Sequence, residues 1–467
     1  MSTAANTLEF IGLSTAYKCA DGDKRRRIHL DGAASPLAAR AGMDMHDRLL
    51  PHYSNSHSYV HNSAQISTKA LEWAHKVVLE FLGANEKDYA AVFCGSGSTA
   101  ALNRIARGLH KLRSNRKQVL ISSMEHHAND LPHRQFDNEC LYLKLTGEGR
   151  NQGAIDLEEL EQLCRSNQDS INYLAISSVS NVTGIRNPIK HICEIAHRYN
   201  IFVVVDAAQS VAHGESHLNQ INADFWVFSG HKLYTPIAPG VMVAKRSILR
   251  VMQEQDLGGG SVVDVTQYDY ILSNDTSTKE ESGTPNIVGA VSLAATMEAM
   301  KTAGLESILQ KEVAIMTQLL SGLKKIDGIV IYGDLELPRT AAIAFNHRDI
   351  EHGLVAAILN DYFCIAVRNE CFCAQPYVSS LLKEELWQID LSTIEPNDQE
   401  TIVNSRRGMV RISLSAYTTQ QDIEFLLNAL NKIVESIDKY RQQYRINKDG
   451  SFTHLNFSVD WHEALKA

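Results

Sequence analysis

The sequence has little of what marks secreted, membrane-spanning or nucleic-acid-binding proteins. Eight cysteines in 467 residues do not make a disulfide framework, so we expect reduced thiols that are free to react. No apolar run approaches the ~20 residues that cross a bilayer, and no signal-peptide segment opens the chain. A net charge of −9 argues against nucleic acid as the main partner, because phosphate binding requires clustered positive charge. These absences predict a cytoplasmic protein with neither a membrane nor a nucleic-acid partner.

One basic run, Lys24–Arg27, stands apart from this acidic balance. Asp21 and Asp23 lie beside it. A solvated turn is therefore favoured there over a targeting signal or a nucleic-acid patch.

The middle of the chain alternates between apolar strand patterns and helical patterns. The strand candidates are Tyr89–Cys94, Val119–Ser123, Tyr173–Ser178, Phe202–Asp206, Phe225–Phe228 and Gly240–Ala244. Nearly continuous apolar strands separated by helices such as Ala100–Leu109 predict an α/β fold. Its central sheet is expected to be mostly parallel, with helices on both faces.

The flanking segments predict a second, smaller unit. Ser67–Leu82 is an amphipathic helix pattern, Asn274–Gly283 a loop or hairpin, and Asn286–Gly322 one long helix. Beyond it, short strand patterns mix with helices, as in an α+β domain. The predicted division is an N-terminal segment 1–28, a large domain 29–300, a small domain 301–440 and an extension 441–467.

A lysine and an aspartate follow two of the buried strand patterns. Asp206 ends the segment that begins at Ile201, and Lys232 follows the segment Ala223–Ser229. At neighbouring strand ends, the amine could form a Schiff base with an aldehyde and the carboxylate could pair with a ring nitrogen. These are the two attachments of pyridoxal 5′-phosphate (PLP). An amine placed after such an apolar strand should have a lowered pKa, as a Schiff-base lysine requires.

Two further strand ends carry polar clusters. Gly95–Thr99 lies between a strand and a helix, where backbone N–H groups can meet a phosphate, although a plain glycine-rich turn fits equally well. Met124–Asn129 contains His126 and His127. Adjacent histidines make a poor zinc pair, so one imidazole stacked on a planar cofactor and two structural histidines remain the alternatives.

The C-terminal half offers a thiol pair and an arginine. Cys371 and Cys373 form a Cys-x-Cys segment with no second pair that would complete a metal site, which leaves a reactive thiol or two inert cysteines. Arg411 lies within a short strand pattern, where it could bind an amino-acid carboxylate or form a structural ion pair.

Taken together, these segments resemble the fold-type I PLP enzymes of the class V aminotransferase superfamily. They resemble most the SUF-type cysteine desulfurases, the group that includes selenocysteine lyases. The resemblance runs from about His29 to Tyr417. Its matching motifs are His29–Ala34, Glu125–Asn129, Ser180–Gly184, Asp206–Gln209, Ser229–Lys232, Ser282–Asn286, Val367–Arg368 and Cys373–Pro376.

The resemblance implies a role for each residue of the site. Lys232 would hold the cofactor covalently and move protons, and Cys373 would be the nucleophile that takes the sulfur. The cofactor ring would contact His126, Asn181, Asp206 and Gln209, and the phosphate would contact Ser98, Thr99, Ser229 and His231, with Thr284 from the other subunit of a homodimer. Arg411, Arg368 and Asn181 would bind the substrate.

The activity implied is conversion of L-cysteine to L-alanine, with a persulfide on Cys373 that passes to an acceptor protein in iron–sulfur assembly. Selenocysteine lysis, another PLP-dependent C–S lysis and transamination remain alternatives, as does a degenerate scaffold protein. Several positions depart from the family pattern. Gly32 replaces an asparagine, Ala100 an acidic residue, and Cys371-Phe372 a histidine pair. The connector 374–410 is also long, and its part Leu391–Arg407 could be a lid or a docking surface.

Overall fold

The computed structural model describes residues 8–56, 58–214, 216–252, 256–384, 395–396 and 398–465. The strands are β1 (Ala16–Lys18), β2 (Lys24–Arg26), β3 (Ile28–His29), β4 (Tyr89–Cys94), β5 (Gln118–Ser122), β6 (Glu139–Leu143), β7 (Ile171–Ser177), β8 (Phe202–Asp206), β9 (Phe225–Ser229), β10 (Gly240–Lys245), β11 (Val262–Val265), β12 (Tyr270–Leu272), β13 (Ile329–Ile331), β14 (Ala342–His347), β15 (Ile365–Ala366), β16 (Arg368–Glu370), β17 (Met409–Ser413), β18 (Tyr444–Ile446) and β19 (Phe452–His454).

Helices connect most of these strands. They are α1 (Arg40–Leu49), α2 (Asn62–Phe81), α3 (Gly97–Leu112), α4 (Leu157–Ser166), α5 (Ile189–Arg198), α6 (Leu218–Ile221), α7 (Arg246–Val251), α8 (Thr276–Glu280), α9 (Ile287–Ala303), α10 (Leu305–Leu323), α11 (His352–Phe363), α12 (Gln375–Leu381), α13 (Gln399–Arg406), α14 (Gln420–Glu435), α15 (Ile437–Arg441) and α16 (Trp461–Ala464). In the part of the chain that the structure describes, none of them is long and apolar enough to cross a membrane.

The central sheet contains seven strands in the order β4-β10-β9-β8-β7-β5-β6. Its pairings are parallel except for those of β10, which runs antiparallel to β4 and β9. Alternate residues of β4 enter separate apolar cores, Ala91 and Phe93 on one face and Ala90 and Val92 on the other. The predicted α/β class, with a mostly parallel sheet covered on both faces, is confirmed.

A second sheet of four antiparallel strands, in the order β13-β14-β17-β16, packs on helices α10, α11 and α14. The N-terminal chain joins this region, because β3 pairs with β15 and Asp31 bridges to Ser413. The domain boundaries remain a prediction.

Three local predictions were wrong, and one strand was missed. The predicted loop or hairpin Asn274–Gly283 contains helix α8, Thr276–Glu280, whose first turn is capped by the Asp275 side chain. Residues Asn286–Gly322 are not one helix, because Gly304 takes a φ of +89° and separates α9 from α10. Lys24–Arg26 is not a turn but strand β2 of a hairpin, although Arg25 does pair with Asp21 and Asp23. The strand β6 was not predicted. It lies at the edge of the central sheet and is only partly buried.

The structure describes only part of the long connector 374–410. Its final helix, α13, is described, whereas residues 385–394 and 397 of the connector lie outside the described residues. Of the predicted lid or docking segment Leu391–Arg407, this leaves out 391–394 and 397.

Candidate functional site

A glycine-rich loop between β4 and α3 forms one end of the site. The Ser98 N–H donates to Ser229 Oγ at 2.7 Å, which ties the loop to the end of β9. Gly97 has a φ of +60°, and a Cβ there would lie 2.8 Å from Ser229 Oγ. A Cβ on Gly240 would lie 2.0 Å from Gly97 O. Both positions therefore exclude a side chain, and the backbone around the N-terminus of α3 stays accessible to an anion.

This loop borders a cavity of about 510 Å³. The lining includes four of the predicted phosphate-binding residues together with the predicted stacking and Schiff-base residues, namely Ser98, Thr99, Ser229, His231, His126 and Lys232. A smaller pocket, which shares three of these residues, adds Asn181, Asp206 and Gln209. The fold therefore gathers the motifs of five separate strand ends around one space.

Lys232 and Asp206 are a buried amine and a buried carboxyl group at this sheet edge. Lys232 ends a short 3₁₀ helix, Gly230–Lys232, directly after β9. Burial lowers the pKa of the Lys232 amine, and the Asp206 carboxylate partly opposes this effect. Burial also raises the pKa of Asp206, although the Ala208 N–H, which donates to Asp206 Oδ1 at 2.9 Å, favours the carboxylate. Such a buried carboxyl group requires a cationic or proton-donating partner.

His126 is held as a neutral imidazole. Burial, followed by the Lys232 charge, lowers the pKa of His126 to about 3. Its Nδ1 accepts the Ala128 N–H at 3.0 Å, so the remaining proton lies on Nε2. The ring is therefore uncharged at neutral pH, as stacking on a planar cofactor requires.

The loop that carries His126 rests on a buried carboxyl group that was not predicted to have a role. Glu125 accepts hydrogen bonds from Ser122 Oγ, Asn129 Nδ2 and both the N–H and the hydroxyl of Ser177. Burial raises the pKa of Glu125 to about 7, against the effect of these donors. Glu125 thus fixes the position of the His126 loop relative to β7.

Arg411 lies in the middle of β17 and is only 3% exposed. Its Nη1 donates to Asn181 O at 3.0 Å and its Nη2 to Asp31 Oδ1 at 3.1 Å. The buried Nε has no hydrogen-bond partner among the described residues. A buried guanidinium with an unused donor is suited to an anionic ligand.

Asp31 is a site residue that the sequence reasoning missed. Its motif was recognised, but no role was given to the carboxylate that pairs with Arg411 across the fold. The neighbouring Gly32 replaces the family's asparagine, and a Cβ there would lie 2.1 Å from Ser415 Oγ. The only signal in the sequence was a carboxylate next to a short strand.

Cys373 lies on a tight turn beside the His126–His127 loop, and it is exposed. The Ala374 N–H donates to Cys371 O at 2.9 Å, while Phe372 and Cys373 have φ values of 53° and 55°. Two successive left-handed residues define a type I′ turn. Such positions favour asparagine or glycine, and each costs a non-glycine residue about 1–3 kcal/mol.

Contacts from both sides hold this strained turn. The His127 N–H donates to Cys373 O at 2.7 Å, and Asn181 Nδ2 donates to Phe372 O at 2.8 Å. The Phe372 ring packs under the Arg411 guanidinium, with Cζ 4.8 Å from the ring centroid. The loop of the predicted stacking histidine thus binds directly to the backbone of the predicted nucleophile.

The remaining predicted residues lie at the margin. Arg368 is exposed on β16, directly opposite Arg411 in the antiparallel pair, so both side chains leave the same face of that sheet. Gln209 is buried and donates to Ala33 O at 2.9 Å. Thr284 is exposed and does not line the cavity of its own chain. Within the described ranges, no group of three or more His, Cys, Asp or Glu residues could hold a metal ion.

Comparison with known proteins gives one family. The family model described as Aminotransferase class-V matches residues 28–426. A probable cysteine desulfurase of Halalkalibacterium halodurans is 30% identical over 416 residues, which cover 87% of this chain and 93% of that protein. Another, from Pseudomonas putida, is 29% identical over 422 residues, or 88% of this chain and 95% of that protein.

Two solved structures share the fold. One is the apo cysteine desulfurase of Thermococcus onnurineus, with a TM-score of 0.76, 26% identity, and coverage of 88% of this chain and 95% of that one. The other is a cysteine desulfurase of Escherichia coli in an S-sulfonic acid form, with a TM-score of 0.72 and the same identity and coverage. The predicted fold-type I architecture is confirmed.

Proposed function

This chain belongs to the class-V aminotransferase family, and on that basis we propose that it is a PLP-dependent cysteine desulfurase. It converts L-cysteine to L-alanine and keeps the sulfur as a persulfide on Cys373. The observation that carries the proposal is the turn of Cys373, which hydrogen bonds connect to the His126–His127 loop and to Asn181 at the edge of the cavity.

The residues present fit PLP. The glycines beside Ser98 leave the backbone open to the phosphate, Asp206 presents a buried carboxyl group beside the cavity, and Lys232 has a lowered pKa. When bound, PLP supplies an aldehyde for an amine and a ring that withdraws electrons from the substrate's α-carbon.

Each group of residues has a distinct task in holding the cofactor. Thr99, Ser98, Ser229 and His231 would hold the phosphate. Asp206 would keep the ring nitrogen protonated, His126 would cover the ring face, and Gln209 and Asn181 would bind the ring hydroxyl. Lys232 moves protons near the substrate's α-carbon, for which its lowered pKa is suited.

Arg411 binds the substrate carboxylate, with Asn181 and Arg368 assisting. The guanidinium of Arg411 is already buried, and among the described residues its Nε has no hydrogen-bond partner. Binding a carboxylate to this donor therefore requires little further desolvation of Arg411. Asp31 holds the guanidinium in place until the substrate arrives.

Cys373 takes the sulfur as a thiolate. Its Sγ forms a bond to the substrate sulfur, the carbon–sulfur bond of the substrate breaks, and the carbon that loses sulfur gains a proton, which gives alanine. The fixed backbone of the turn holds the thiolate beside the His126–His127 loop, which borders the cavity.

A homodimer completes the phosphate site. The hairpin of β11 and β12 presents Val263, Tyr268 and Ile271 at exposures of 70%, 94% and 61%, an apolar surface suited to a second copy of the chain. The partner subunit's Thr284 then contacts the phosphate. Sedimentation of the holoenzyme only as a monomer would contradict this part of the proposal. The persulfide sulfur is passed on to an acceptor protein.

Product analysis tests the proposed activity. The holoenzyme is given L-cysteine, alanine is measured, and the tryptic peptide Asn369–Lys383 is analysed by mass spectrometry after an early quench. We expect alanine and one added sulfur on Cys373, while Cys373→Ala should form alanine at least ~100-fold more slowly. Cys140→Ala, at a half-buried cysteine on β6, is the matched control.

Alanine formation by Cys373→Ala at the wild-type rate would show that the thiol is not the sulfur acceptor. Parallel reactions with selenocysteine and cysteine sulfinate identify the substrate. Exclusive use of selenocysteine would make the protein a selenocysteine lyase and contradict the proposed substrate.

A further inference from the structure

Two cysteines flank one anchored residue in the type I′ turn. Cys373 is exposed, and Cys371 is half-buried against the main apolar core. Phe372 between them is fixed through its carbonyl oxygen by Asn181 and through its ring by Arg411. The turn is closed by the hydrogen bond from Ala374 N–H to Cys371 O.

We propose that Cys371 is a resolving thiol that converts the Cys373 persulfide into a Cys371–Cys373 disulfide and releases hydrogen sulfide. This inference rests on the proposed desulfurase function. The enzyme could then release its bound sulfur as hydrogen sulfide without an acceptor protein, as an alternative to passing the persulfide sulfur to one.

The covalent geometry permits the reaction. Consecutive Cα atoms are ~3.8 Å apart, so residues two positions apart are separated by at most about 7 Å, and a turn shortens this distance. A disulfide requires Cα atoms roughly 4.4–6.8 Å apart. The Cα spacing of Cys371 and Cys373 in the turn is therefore compatible with a disulfide between them.

Atoms and electrons balance within the loop. The Cys371 thiolate attacks Cys373 Sγ, a bond forms between the two cysteine sulfurs, and the bond from Cys373 Sγ to the outer sulfur breaks. The outer sulfur leaves as HS⁻, reduced by two electrons, while the two cysteines are oxidised to the disulfide. A small thiol or a dithiol protein then reduces the disulfide and restores the enzyme.

The other cysteines do not compete for this role. Burial raises the pKa of Cys94, Cys164 and Cys193 to about 12, which suppresses their thiolates. Cys364 is buried ahead of β15, and burial raises the pKa of its thiol as well.

The test compares wild-type holoenzyme with Cys371→Ser after one equivalent of L-cysteine per subunit and no reductant. At increasing times the thiols are blocked with iodoacetamide, and the peptide Asn369–Lys383 is analysed without reduction. In the wild type we expect the Cys373 persulfide to give way to a disulfide-closed peptide as free sulfide appears. In Cys371→Ser the persulfide should persist and sulfide release should fall at least ~10-fold.

Cys140→Ser is the matched control and should behave as the wild type. A lasting persulfide on wild-type Cys373, with Cys371 alkylated, would overturn the inference while leaving the proposed function intact. No alanine from either protein would overturn both. If Cys371→Ser does not fold, the wild type alone tests the inference: a disulfide-closed peptide supports it, and the absence of that peptide contradicts it.

Discussion

Two regions hold their reactive groups in opposite ways: the cofactor edge, which carries Asp206 and Lys232, and the cysteine turn, Cys371–Ala374. At the cofactor edge, Asp206 ends the buried strand β8 and Lys232 closely follows the buried strand β9 of the central sheet. Cys373 instead lies on a left-handed turn kept in place by hydrogen bonds from His127 and Asn181. The first arrangement suits a group that must stay fixed against a ring, and the second suits a group that must carry sulfur outward. Changes at the edge should therefore remove all activity. At the turn, loss of Cys373 should slow alanine formation, whereas loss of Cys371 should alter only the fate of the sulfur.

The largest effect is expected at the cofactor edge itself. Lys232→Ala should reduce alanine formation by roughly 10³-fold or more, because it removes both the covalent attachment and the proton carrier. Borohydride reduction of the wild type should fix PLP on the tryptic peptide that carries Lys232, and this label should be absent from the variant.

Lys144→Ala, at a lysine that is 82% exposed, is the control and should keep the label. Turnover by a folded Lys232→Ala protein near the wild-type rate would mean that the cofactor edge does not perform the reaction.

A smaller effect is expected where the two regions meet, at Arg411. Arg411→Lys should raise KM for cysteine about 10- to 100-fold with a smaller change in kcat, because lysine cannot replace the forked hydrogen bonds to a carboxylate. Steady-state kinetics measure both constants. Arg368→Lys, on the neighbouring strand, is the matched comparison and should change KM less. The reverse ranking would assign the carboxylate to Arg368.

The cofactor edge could be predicted because its residues are local in sequence. Each polar cluster directly follows a buried apolar strand, and the ends of parallel strands meet at one edge. Six of the seven strands of the central sheet, β4, β5, β7, β8, β9 and β10, were recovered from their apolar patterns. The edge strand β6 was missed because its partial burial gives no such pattern.

The other parts of the site, the Asp31–Arg411 pair and the turn of Cys373, depend on contacts between distant parts of the chain. Asp31 meets Arg411 across 380 positions, and nothing near either residue indicates the other. The turn of Cys373 has its φ values only because Asn181, His127 and Arg411 hold it. Neither Phe372 nor Cys373 is a residue type that favours left-handed backbone, so propensity predicted no turn.

The smallest predicted effect is on the free energy of unfolding. It arises beneath the cofactor edge, where hydrogen bonds connect Glu125 through Asn129 and His133 to Tyr173. Burial lowers the pKa of His133 to about 3. The unfolded chain therefore binds more protons at this site between about pH 6.5 and 3, and His133 costs stability as the pH falls through that range. Burial raises the pKa of Glu125 to about 7, so the folded protein binds more protons at Glu125 than the unfolded chain does. Glu125 therefore adds stability as the pH falls from about 7 to 4.5.

His133→Asn removes the histidine contribution and leaves that of Glu125. Below pH 6.5, the unfolding free energy of the wild type should therefore fall relative to that of the variant, by on the order of 1 kcal/mol per pH unit. Urea unfolding at a series of pH values measures it, with His191→Asn on the exposed face of α5 as the control for histidine loss. A difference that stays constant from pH 7 to 4 would mean that His133 does not remain neutral in the folded protein.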